Sequence, residues 1–169
     1  MVDYESAFRR PWTDTRALVI GTLVSIVPIV NFAMQGYALK CVTTRTGLPD
    51  WKGFGTLWLK GLVSLAISLI YLIVPLVAIT ITGILFAVES RGAGIAFGIV
   101  AAVLMLLTVY VLPAALVRYA RDGFRDALMM REIIATAFSK DYFGPWLIGF
   151  VWSVFLGIVT LILNVILGF

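Results

Sequence analysis

The chain has 169 residues, 62% hydrophobic and 13% charged, with a formal net charge of +4. An ordinary soluble domain is about 45–50% apolar and about 25% charged, so a soluble globular domain, a disordered chain and a disulfide scaffold are excluded. The absence of histidine removes the commonest general base and metal ligand, and the lone Cys41 cannot form an internal disulfide or a zinc site.

Residues 1–16 set Tyr4, Phe8 and Trp12 at four-residue spacing beside Arg9 and Arg10. This spacing predicts a short interfacial segment, interrupted at Pro11. No small-x-small cleavage site follows the first apolar run, so no secretory signal peptide is expected. Four uncharged stretches then occupy residues 17–39, 61–88, 92–117 and 142–169, with lengths of 23, 28, 26 and 28 residues. A spanning helix needs about 20 apolar residues, and a backbone in lipid must satisfy its own hydrogen bonds. The expectation is an all-α integral membrane protein, a single membrane domain over residues 1–169 with three or four transmembrane helices.

The first stretch carries Pro28 and Asn31 near its middle and Gln35 beyond them. It reads either as a proline-kinked span or as a re-entrant helical hairpin with its tip at Pro28–Asn31. Residues 40–60 place Lys40, Arg45, Lys52 and Lys60 around Leu48-Pro49-Asp50-Trp51. A turn and then a helix start are expected there, with Trp51, Phe54 and Trp58 as interface anchors. Glu89-Ser90-Arg91 forms a tight connector.

Residues 118–141 are the longest polar segment. Asp122-Gly123 reads as a break. Beyond it Phe124, Ala127, Leu128, Ile134, Ala137 and Phe138 share one helical face, while Arg125, Asp126, Arg131 and Glu132 lie off it. This pattern predicts one amphipathic helix lying on the membrane surface.

Charge sets the sidedness. Four simple spans divide the basic residues nine against four, and a re-entrant first stretch divides them twelve against one. The second division is the sharper positive-inside bias, and it puts the N-terminus inside. Both assignments place the basic loops 40–60 and 118–141 in the cytoplasm of a multi-pass cell-membrane protein.

Chemistry-bearing groups are sparse. All nine acidic residues lie outside the apolar stretches, so the proton relay of a coupled transporter is missing. Asn31 and Gln35, spaced i, i+4, form with Pro28 the candidate contacts for a ligand within the membrane. Asp122 and Asp126 share that spacing, but surface pairing with Arg118 and Arg125 outweighs metal binding. No catalytic, cofactor or metal residue is assigned. Arg121, Arg125, Arg131 and Lys140 are the candidate contacts for anionic lipid. Rows at Gly94, Gly98, Ala102 and at Gly149, Ser153, Gly157 suit close helix packing, within the chain or between copies. No basic run with interleaved aromatics points to nucleic acid.

Several short motifs carry a resemblance. Asp3-Tyr4 with Ala7-Phe8 and Pro11, Ile20-Gly21, and Pro28-Ile29-Val30-Asn31-Phe32 with Gly36-Tyr37 open it. Leu48-Pro49-Asp50-Trp51, Pro113-Ala114-Ala115 with Arg118-Tyr119-Ala120, and Ala127 with Arg131-Glu132 continue it. Together they resemble an uncharacterised, mostly archaeal membrane family, domain of unknown function 4013. The resemblance implies a multi-pass membrane protein and brings no catalytic residues. The functional expectation is a non-enzymatic membrane component that organises lipid, a membrane-protein partner or further copies of itself. The alternative is a small transporter or channel built on the broken first helix; a lipid-active enzyme ranks last.

Overall fold

The computed structural model describes residues 29–44 and 48–167, together with Arg9, Thr15, Arg16, Val19 and Ile20. The elements in order are α1 (Asn31–Thr43), α2 (Phe54–Ala87), α3 (Arg91–Asp122), a 3₁₀ turn (Asp126–Leu128), α4 (Met130–Ala137) and α5 (Lys140–Leu167). The described residues are all helix and connector, as the hydropathy pattern requires. Three helices, α2, α3 and α5, are long and apolar enough to cross a membrane. At 1.5 Å per residue the 34 residues of α2 extend about 51 Å and the 32 of α3 about 48 Å, so both ends project beyond a hydrocarbon core about 30 Å thick. The first apolar stretch contributes α1, whose 13 residues are too short to span alone. Pro28, on which the choice between a kinked span and a hairpin turns, lies outside the described residues.

α2 and α3 form an antiparallel hairpin closed by a left-handed Glu89 (φ 60°). Near that turn Gly94 sits against the Phe86 ring and Gly98 against the Thr82 methyl, so one of the two small-residue rows works within the chain. α1 folds back along the first turns of α2, and there the two backbones touch. A Cβ on Gly36 would overlap the Leu57 carbonyl oxygen, and one on Gly61 the Phe32 carbonyl oxygen. The contact is reciprocal, with a glycine Cα–H on each helix facing a carbonyl on the other, a geometry only glycine permits. Around it Ala33, Tyr37 and Leu57 are buried, and Trp51 stacks on Tyr37 with ring centroids 4.0 Å apart.

The break at Asp122-Gly123 is present, but the single amphipathic helix expected beyond it within residues 118–141 is interrupted. α3 continues through Arg118 to Asp122 and ends at Gly123, whose φ of 105° is the left-handed region glycine favours. The 3₁₀ turn and the eight residues of α4 follow, separated at Met129. The physical reason is a tertiary hydrogen bond. In a continuous helix the Ala127 carbonyl would accept from the Arg131 N–H; here it accepts the buried Tyr71 hydroxyl of α2 at 2.8 Å. The Ala137 carbonyl, closing α4, accepts the Tyr110 hydroxyl of α3 at 2.6 Å. Ala127, Ile133 and Ala137 are fully buried against Ile67, Tyr71 and Ala114, fixing the segment onto the hairpin.

A proline joins α5 to this body. Pro113 has no N–H to give the Val109 carbonyl four residues earlier. The Trp146 indole donates to that carbonyl at 3.2 Å, and the Tyr142 hydroxyl donates to the adjacent Tyr110 carbonyl at 2.7 Å. The Tyr110 ring is flanked by Phe138, Tyr142 and Trp146. Beyond these first turns α5 stands clear of the hairpin, and nearly every residue from Leu147 to Ile166 is exposed.

Two stability predictions follow from these contacts. Gly36→Val and Gly61→Val should each destabilise the protein by about 3 kcal/mol, the upper end of overpacking costs, because backbone meets side chain with no room to yield. Thermal unfolding in detergent, with Gly83→Val as the open-space control, measures this. Trp146→Phe should cost about 1–2 kcal/mol by leaving the Val109 carbonyl without its donor. In a Pro113→Ala background the cost should fall, since the restored N–H takes that carbonyl. Equal costs in both backgrounds would remove the coupling.

Candidate functional site

The antiparallel hairpin brings the start of α2 and the end of α3 to one end of the molecule. Leu39 and Lys60 meet Tyr119, Ala120, Arg121, Asp122 and Gly123 around a cleft of about 330 Å³. The loops 40–60 and 118–141, far apart in sequence, therefore share one end. The opposite connector carries Glu89 and Arg91.

At the shared end the basic side chains divide into two groups. Three are used inside the molecule. Lys40 Nζ donates to the Asp50 carbonyl at 2.8 Å, Lys52 pairs with the Asp50 carboxylate at 3.1 Å, and Arg118 pairs with Glu132 at 2.6 Å. The Arg118 side chain is only 23% exposed, so this last pair is partly screened from water and clamps α4 to α3. Lys60, Arg121, Arg125 and Arg131 are exposed and make no ion pair or hydrogen bond among the described residues. Three of these are sequence-expected lipid contacts. The fourth expected contact, Lys140, has its side chain outside what the structure describes. Lys60 was missed, although its place as the last charge before the apolar run of α2 marks it as interfacial.

Two of the three candidate intramembrane contacts lie on α1. Asn31 is the first residue of α1, and Gln35 accepts a hydrogen bond from the Ser64 hydroxyl at 3.2 Å. The Trp58 indole, beside them, donates to the Ile29 carbonyl at 2.7 Å. α1 runs antiparallel to α2, with Gly36 at Leu57 and Phe32 at Gly61, so Asn31 lies at the end of α1 farther from Lys40 and from the start of α2. Pro28 lies outside the described residues. Asp122 ends α3 and Asp126 opens the 3₁₀ turn, so the break at Gly123 takes the two carboxylates off a common helix.

What this arrangement offers is a set of exposed basic side chains, without an ion pair among the described residues, at the rim of three apolar helices, with Asp122 and Asp126 interspersed among them. It suits recognition of negative charge at a membrane interface. No curated protein and no solved structure shows significant similarity to the chain. The sequence profile of the family described as protein of unknown function DUF4013 matches residues 20–165, and the chain belongs to that family.

Proposed function

We propose that the protein is a non-enzymatic membrane component that gathers anionic lipid at its basic end, with that end in the cytoplasm. The observation that carries this reading is the division of charges. Asp50 and Glu132 are committed to Lys52 and Arg118, while Arg121, Arg125 and Arg131 stand exposed in one short stretch with no ion pair among the described residues, outnumbering Asp122 and Asp126 beside them. Fixed cations beside apolar spans attract anionic headgroups, at about 1 kcal/mol for each side chain near the surface. Arg121 stands in the last turn of α3 and Arg131 on α4, with Arg125 in the short connector between them, and this anchorage on helices favours a defined lipid over a diffuse counter-ion layer.

Replacing Arg121, Arg125 and Arg131 with Gln should weaken binding of phosphatidylglycerol by about 3 kcal/mol, on the order of a hundredfold. Lipid titration of the delipidated protein in detergent, followed by native mass spectrometry, measures the change. Unchanged binding would defeat the lipid reading.

Sidedness has its own test. Lys52 is 87% exposed in the basic loop, so Lys52→Cys in a Cys41→Ser background reports the side on which that loop lies. A membrane-impermeant maleimide should label it only after cell lysis. Labelling of intact cells would put the basic end outside.

A further inference from the structure

A second feature lies directly beneath the open arginines. α2, α3 and α4 enclose a lateral groove of about 600 Å³, within the 300–1,000 Å³ range of small-molecule sites. Its walls are Ile70 and Val74 from α2, Leu107 and Val111 from α3, and Ile134 and Phe138 from α4. Thr108 lines it too. Ser64, Ser68, Thr80, Thr82, Ser153 and Thr160 each bond a backbone carbonyl of their own helix; Thr108, though 9% exposed, makes no such bond among the described residues.

The groove has a direction. The Arg118–Glu132 pair holds the start of α4 at the charged end of α3, and the Ala137–Tyr110 bond holds its end two turns deeper. Leu128 and Met130 therefore form the mouth, beside the exposed Arg125 and Arg131. From there the lining descends along α3 from Val111 to Leu104, about 10–20 Å from the level of Arg118. A cationic rim above an apolar slot of that depth complements an anionic amphiphile.

We propose that the groove is a binding site for one hydrocarbon chain of an anionic phospholipid, whose phosphate is held by Arg125 and Arg131. The site rests on the anionic-lipid reading above for its headgroup and on the groove alone for its chain. α4 is then a wall as well as a charged platform, and Tyr71 and Tyr110 keep the groove open by fixing that wall to the hairpin.

The test is photo-crosslinking in vesicles with phosphatidylglycerol and phosphatidylcholine that carry the same chain-terminal diazirine. The exposed apolar stretch Leu161–Ile166 of α5 serves as the internal measure of casual lipid contact. With phosphatidylglycerol, label should concentrate several-fold on Ile70–Pro75 and Leu104–Val111 over that stretch. Val74→Trp and Leu107→Trp, each replacing an exposed wall residue with a larger one, should each bring groove labelling down to the α5 level. Groove labelling that is equal for the two headgroups supports the chain site and overturns the anionic reading. Groove labelling no denser than that of α5, or unmoved by both tryptophans, overturns the chain site.

Discussion

The fold depends on one constraint: a backbone carbonyl that leaves a helical ladder in apolar surroundings must find another donor. At five such places among the described residues the donor is aromatic. Trp58 serves Ile29, Tyr71 serves Ala127, Tyr110 serves Ala137, Tyr142 serves Tyr110, and Trp146 serves Val109. Each bond lies where a helix starts, ends or is interrupted by proline. Each also joins two elements, so the group that satisfies the break is the group that fixes the tertiary arrangement. Tyrosine and tryptophan suit the task because an apolar ring carries a single polar atom to a defined place.

This constraint explains why the segment after α3 is broken rather than continuous. An unbroken amphipathic helix keeps its carbonyls to itself and rests on its neighbours by apolar contact alone. Breaking it at Ala127 and ending it at Ala137 releases two acceptors, and the tyrosines of α2 and α3 hold them. α4 is thereby locked at both ends, by Arg118–Glu132 at its start and by Tyr110 at its close. Its buried residues Ile133 and Ala137 face inward, which leaves Arg131 and Ile134 exposed. The charged rim and the apolar wall are two faces of one short, clamped helix.

Much of this was legible in the sequence, and the missing parts share a cause. The three long helices follow from uncharged length. Gly94 and Gly98 are visible as a row because both lie on one helix. Gly36 and Gly61 are not, since each is a lone glycine in its own segment and the pair exists only once α1 folds against α2. The helix break at Met129 has no local signal: there is no glycine or proline between Arg125 and Ala137, and the periodicity favours one helix. The competing term, the Tyr71 hydroxyl, comes from 56 residues away. Likewise the basic residues could be counted, but which of them are free depends on the acids that folding places beside them. Asp50 takes Lys52, and Glu132 reaches back to Arg118.

The distribution of polarity then locates selectivity. The apolar stretches contain no charged side chain, and among the described residues most of their serine and threonine hydroxyls are tied to their own helices. A ligand held at depth would be discriminated by shape, because few polar atoms face outward there. Charge is concentrated at the end where α2 begins and α3 finishes, against Glu89 and Arg91 at the other. A molecule engaging both must be amphiphilic, with its charged part at the level of Arg118 and its apolar part beneath. The two features meet on α4, so displacing that helix would remove the rim and the wall together. On the proposed lipid reading, the hydrogen bonds from Tyr71 and Tyr110 belong to the binding apparatus because they hold α4 in place, although neither hydroxyl is free to touch a ligand.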